Sequence, residues 1–244
     1  MIIQIIRIGD RKMRKIIVSI LVLGTMLFGA MGEGKPQNKE MEMFQSVPMQ
    51  KATILQEGEA KMYCPACGMT LPMFFKTNHA ATHGDHTEQY CSLHCLAETN
   101  LKNNNSLKDI KVVDTKTLKF IDAQSAHYVV GSSKKGSMSM VSKYAFEKAE
   151  DAEAFNAEFG GELMNFEQTY KVASTALEGE MKMVAKKQAD MAKKGEMIYN
   201  KMCKKTDKKF SSTAEAKAFV MSNNLCGDIK GTQLQAVGIY LGKR

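Results

Sequence analysis

Tyr63-Cys64-Pro65-Ala66-Cys67-Gly68-Met69 is the stretch on which the reading of this chain turns. A short extended edge at Tyr63 runs into a Cys-x-x-Cys turn. Gly68 lets the backbone reverse sharply there, so that both sulfurs aim at one point. Met69 adds a thioether beside them. Thiolate plus thioether is a soft donor set, suited to Cu(I) rather than to Mg, Ca or Mn. A second pair, Cys91-x-x-x-Cys95, places two cysteines one helical turn apart with His94 between them. Two cysteine pairs taken alone fit a zinc knuckle with four cysteine ligands, two structural disulfides, or a redox-active Cys-x-x-Cys. Two features favour copper. One is Met69 together with the Met138-Ser139-Met140 cluster, since zinc does not select thioethers. The other is the histidine set His79, His83, His86 and His127, since imidazole also suits copper.

Composition supports a globular protein with a real core: 244 residues, 44% hydrophobic and 25% charged. Methionine is over-used, with 19 Met against 11 Phe and no Trp. Most of these Met residues read as flexible core or surface filler. The net charge is +8, and half of it lies in residues 1–32. The remainder is spread among many Lys with matching Glu and Asp, which is no footprint for nucleic acid. Arg11 to Lys15 is a basic n-region, Ile16 to Ala30 an apolar h-region, and Ala30-Met31-Gly32 a small-residue cleavage site. Residues 1–32 are therefore read as an export signal. The expected location is the periplasm, and membrane association would come only through an uncleaved signal. No cysteine follows the h-region to carry a lipid.

Residues 33–58 read as a flexible linker and residues 59–165 as the metal-binding domain. Residues 73–90 are expected to form a hairpin with His79, His83 and His86 at its polar tip. Cys91 to Lys102 is expected to be a helix, and 110–113, 119–121 and 126–131 to be strands. Lys143 to Phe159 keeps helical spacing and ends at Gly160-Gly161. The fold class is α+β with a small mixed or antiparallel sheet. Residues 166–194 read as a helical spacer, and 195–244 as a small all-α unit with helices at 196–204, 212–223 and 232–241. Cys203 and Cys226 are candidates for a disulfide. No nucleophile–base pair and no phosphate loop is visible, so the expected role is capture and transfer rather than catalysis.

Several motifs in order resemble the NosL family, accessory proteins of nitrous oxide reductase. They are Cys-Pro-Ala-Cys-Gly-Met at 64–69, Tyr-Cys-Ser-Leu-His-Cys-Leu-Ala at 90–97, Asp-Ala-Gln-Ser-Ala-His-Tyr-Val-Val-Gly-Ser at 122–132, and Gly-Ser-Met-Ser-Met-Val-Ser-Lys-Tyr-Ala-Phe at 136–146. The resemblance implies two related small lobes and a periplasmic Cu(I) protein that supplies copper to apo nitrous oxide reductase. It places Cys64, Cys67 and Met69 in the Cys-Gly-Met motif and Met138 in the Gly-x-Met loop. The candidate copper ligands are thus Cys64, Cys67, Met69, Met138 and His127. Cys91 and Cys95 are kept apart, as a second metal site that zinc would fit or as a local structural site. Zinc stabilisation through Cys64, Cys67, Cys91 and Cys95, or thiol–disulfide chemistry of the same set, stands as the alternative. Residues 194–203 and 234–241 look like the first and last helices of a small cytochrome c. The Cys-x-x-Cys-His attachment motif is absent, so no haem is expected.

Overall fold

Gly84-Asp85 turns the chain between two five-residue strands, β1 (His79–His83) and β2 (His86–Tyr90), with Gly84 at a φ of +63° as a tight hairpin requires. In the computed structural model the described residues are 43–244; residues 1–32, expected to be an export signal, and residues 33–42 lie outside them. β3 (Lys108–Val113) pairs antiparallel with the other edge of β1, and β4 (Phe120–Asp122) with β3. The four-stranded sheet has the order β2-β1-β3-β4. A second, three-stranded sheet centres on β5 (His127–Val130), flanked antiparallel by β6 (Lys143–Phe146) and β7 (Glu162–Met164). Helix α1 (Leu93–Lys102) follows the first hairpin, and α2 (Ala149–Phe159) covers the second sheet. The fold is α+β, two antiparallel sheets with a helical C-terminal region: α3 (Phe166–Met202), α4 (Thr213–Ser222) and α5 (Gly231–Gly242).

Four local expectations need correction. The helix read over Lys143–Phe159 begins as strand β6. All four of its residues are buried and pair with β5, and Tyr144 and Phe146 pack on Phe155, so tertiary pairing overrides helical periodicity. Residues 71–77 form a 3₁₀ turn, and the hairpin starts only at His79. His79 itself is wholly buried at the far end from the tip, because the register pairs it with Tyr90. The stretch read as a linker packs where it is described: Phe44 lies edge-on to Tyr144 at 5.3 Å, and the Gln45 amide donates to the Lys135 carbonyl.

The spacer and the first C-terminal helix are one continuous 37-residue helix, about 55 Å long. Its start is fixed by a reciprocal capping box of Asn165 and Gln168. Gly195 does not break it. A Cβ there would stand 1.9 Å from the Ala236 carbonyl oxygen, so Gly195 is the point where α3 and α5 cross closely. Cys203 and Cys226 form a disulfide in the C-terminal cluster around Tyr199, Phe210 and Val237. Closing a loop of that length contributes about 3 kcal/mol on loop-entropy grounds. The described residues belong to a single compact unit. Among them, no helix is long and apolar enough to cross a membrane.

His79 carries a testable pH dependence. Its Nδ1 faces the Thr77 carbonyl at 3.1 Å and its Nε2 the Tyr128 hydroxyl at 3.3 Å. Burial pushes its pKa down from 6.5 to about 4, against the pull of the Thr77 carbonyl. The unfolded chain therefore binds a proton that the folded chain refuses. This stability is complete above about pH 6.5 and is lost as pH falls from there towards 4. Between pH 7 and pH 5 the loss should be about 2 kcal/mol. Urea midpoints measured at the two pH values should show it, and His79→Gln should remove most of that slope.

Candidate metal centre

The Cys-x-x-Cys turn is closed by its own backbone. The Cys64 amide donates to the Met69 carbonyl and the Gly68 amide to the Cys64 carbonyl, both at 2.8 Å. Gly68 sits at a φ of +74°. Opposite the turn, β2 delivers Cys91, and α1 begins at once with Ser92 as its cap. The Ser92 hydroxyl accepts from the Cys95 amide, which fixes Cys95 in the first helical turn beside Cys91. One cluster results. The Sγ atoms of Cys64, Cys67, Cys91 and Cys95 lie within 4.8 Å of one another, all buried. Cys67 and Cys91 are 3.5 Å apart, and Cys91 and Cys95 3.6 Å. Cys91 and Cys95 are therefore not a separate second site, as the sequence reading had them. The hairpin and the helix cap fold them onto the first pair.

These thiols share their protons. Burial raises the Cys64 thiol, but contacts from Cys67, Cys91 and Cys95 outweigh it and hold its pKa well below the ordinary value. The hydrogen-bond contact with Cys64 in turn pushes Cys91 and Cys95 well above it. A metal entering the cluster displaces these protons, as thiolate ligation requires.

Both cysteines of the turn are buried. The C-terminal helices cover it. Lys217 of α4 is 1% exposed and donates from Nζ to the Gly68 carbonyl at 2.6 Å, to Thr70 Oγ1 at 3.3 Å and to Gln235 Oε1 at 2.8 Å. Gln235 of α5 donates to the Cys67 carbonyl at 2.9 Å. Burial lowers the Lys217 pKa to about 8, against the attraction of the thiolates of Cys67, Cys64 and Cys91. Its ammonium offsets part of the cluster's negative charge. A single buried Lys in an Ala-rich helix gives no sequence signal of this role, and neither does Gln235.

Met138 is brought to the same place by polar ties. Thr77 donates to the Cys91 carbonyl at 2.8 Å and contacts the Ser137 hydroxyl at 2.7 Å, so the loop begins pinned against Cys91. Ser139 donates to Glu180 Oε1 at 2.6 Å, and Glu180 Oε2 meets Nδ1 of His94 on α1 at 2.8 Å. Burial raises the Glu180 carboxyl, but the bonds from His94 and Ser139 and the charge of Lys143 outweigh it and hold its pKa below the ordinary value. Helix α3 thereby ties the Met138 loop to the helix that carries Cys95.

A cleft of about 750 Å³ opens above this arrangement. Cys67 is the one cysteine in its lining, and seven Met residues line it, including Met69 and Met138 from the metal motifs and Met183 and Met191 from α3. Cys64 lies beneath, fully buried. His127 is not brought to the centre. It is exposed on β5 and borders a different depression with Tyr128 and Glu153.

Residues 56–173 match the NosL family. That stretch of the chain is similar to NosL proteins. No curated protein matches the chain. Among solved structures, the copper chaperone NosL from Shewanella denitrificans is similar, at 26% identity over 49% of this chain and 96% of that one, with a TM-score of 0.38. The NosL match holds both cysteine pairs and the Met138 loop and ends at residue 173. Lys217, Gln235 and the Met residues of α3 that complete the cleft lie beyond it.

Proposed function

We propose that this chain is an exported copper(I)-binding accessory protein that holds Cu(I) and passes it to apo nitrous oxide reductase as its copper centres are assembled. The observation that carries this reading is the position of Cys67, a thiol at the junction of a buried cysteine cluster and a methionine-lined cleft. A thiolate with one or two thioethers is a soft, low-charge set that Cu(I) favours over hard cations. Cys67, Met69 and Met138 would be its ligands. An open cleft lets an incoming thiolate or thioether of the acceptor join the ion before these ligands leave, so transfer needs no free ion. The similarity to NosL proteins agrees with the reading, and the expected export signal would place it in the periplasm.

A second reading has its own observation. Sulfur separations of 3.5 and 3.6 Å approach the edge of about 3.8 Å expected for a tetrahedron with metal–sulfur bonds of about 2.3 Å. Four buried cysteines would then hold a structural Zn(II), with copper absent or added at the Cys67 face. An anaerobic Cu(I) titration of reduced protein against a chromophoric chelator separates the two. Met69→Leu with Met138→Leu should weaken Cu(I) binding by about tenfold or more, about 1.4 kcal/mol per decade. Unchanged affinity in that double variant would remove the thioethers from the site and leave the all-cysteine reading.

A further inference from the structure

A second constellation lies at the tip of the β1–β2 hairpin, away from any cysteine. His83 and His86 face each other as the last register pair before the turn, with ring centroids 5.7 Å apart. Glu88 is two residues along β2 from His86, so the pleat returns it to the same face. Its carboxylate approaches both rings: Oε2 is 3.4 Å from His83 Nδ1, and Oε1 is 3.7 Å from His86 Nε2. One donor atom from each of the three residues lies within 4.8 Å of the others.

Two details distinguish this cluster from a solvated group of polar side chains. His83 Nδ1 is buried and makes no hydrogen bond, even though the carboxylate is close. A ring nitrogen buried there without a hydrogen bond costs free energy, which a ligated ion would offset. The remaining atoms are oriented from outside the cluster. Asp85 Oδ1 contacts His86 Nδ1 at 3.2 Å, which leaves Nε2 as the free donor facing Glu88. The Tyr90 hydroxyl donates to Glu88 Oε2 and holds the carboxylate in place. A carboxylate behind a ligating imidazole and a hydrogen bond behind a ligating carboxylate are the outer contacts that metal sites use.

We propose that His83, His86 and Glu88 form a second metal site, for a borderline divalent cation such as Zn(II), with coordination positions left open to solvent. Two imidazoles and one carboxylate suit Zn(II) and its first-row neighbours and disfavour Cu(I), so this site and the thiolate–thioether centre select different ions. The proposal does not depend on the copper reading. The hairpin is the chelating frame: a two-residue turn sets the first two ligands opposite each other, and the pleat supplies the third.

The test is a Zn(II) titration of the reduced full chain, following the imidazole ring nitrogens of all five histidines by NMR and counting reactive thiols in parallel. The ring signals of His83 and His86 should shift together within the first two equivalents, with His127 on the other sheet unmoved. His83→Gln, His86→Gln and Glu88→Gln should each weaken that step by about tenfold or more, with unchanged urea midpoints at pH 7 showing that the hairpin still folds. Rings of His83 and His86 that stay put through two equivalents would overturn the proposal, as would wild-type affinity in all three variants. Thiols that stay reactive while these rings shift would count against metal binding by the cysteine cluster and would leave this site standing.

Discussion

Cys67→Ser should lose tight Cu(I) binding, with affinity falling by about a thousandfold, or about 4 kcal/mol. Cys67 is the one cysteine that belongs both to the buried cluster and to the lining of the methionine cleft. Serine keeps the size and the backbone of the turn but replaces a soft thiolate with a hydroxyl that does not ionise in the working range. The thioethers of Met69 and Met138 would then have no anionic partner. Folding should persist, because the turn is closed by backbone hydrogen bonds and clamped at the Gly68 and Cys67 carbonyls by Lys217 and Gln235. A chelator-competition titration reads the affinity, and circular dichroism confirms that the fold is retained. Wild-type affinity in the serine variant would contradict the assignment of Cys67.

A large loss of stability is expected at Gly68→Ala. Two costs act together there. The backbone is at a φ of +74°, where a non-glycine residue costs about 1 kcal/mol or more. An added Cβ would also lie 2.3 Å from Thr213 Cγ2 and 2.7 Å from Thr213 Cβ, with the Thr213 backbone at 3.3 Å. Helix α4 would have to retreat from the turn, and overpacking of this kind costs about 1–3 kcal/mol. The expected total is about 2–4 kcal/mol, read from the urea midpoint at constant slope. Adding Thr213→Ala removes the Cγ2 clash but neither the Cβ contact nor the backbone strain, so it should restore only part of the loss. The same substitution should loosen the cover over Cys67, since Lys217 bonds to the Gly68 carbonyl.

Much of this arrangement is legible in the sequence because it is local. The Cys-x-x-Cys-Gly turn, the Ser92-capped helix carrying Cys95 and the Gly84-Asp85 hairpin are each set by residues within a few positions of one another. The helices of α4 and α5 show equally plainly, through their own spacing. What the sequence hides is set by distant partners. Lys143-Tyr144-Ala145-Phe146 reads as the first turn of a helix until β5 is placed beside it. The joining of the two cysteine pairs depends on how α1 meets the turn, and nothing in their spacing excludes two separate sites. His127 shares the composition of a ligand but not its place, since its strand sets it on a solvent-facing position. Gly195 has the look of a helix break, yet it is a contact point, because its missing side chain lets α5 approach. The covering role of Lys217 and Gln235 spans 149 and 168 residues of sequence, a separation over which pattern reading has no purchase.

That covering also gives the helical tail a structural meaning. Helix α3 ties the Met138 loop to α1 through Glu180, while α4 and α5 close over the cysteine turn. Among the described residues, the cleft meets the cluster at Cys67.

The most direct test of the central claim is X-ray absorption at the copper edge on reduced, selenomethionine-labelled protein loaded with one equivalent of Cu(I). Selenium replaces the thioether sulfur alone, so a copper–selenium shell reports methionine ligation separately from cysteine. The account predicts a shell of sulfur and selenium, with the selenium component lost in Met69→Leu with Met138→Leu. A shell of sulfur alone, or one dominated by nitrogen and oxygen, would contradict it.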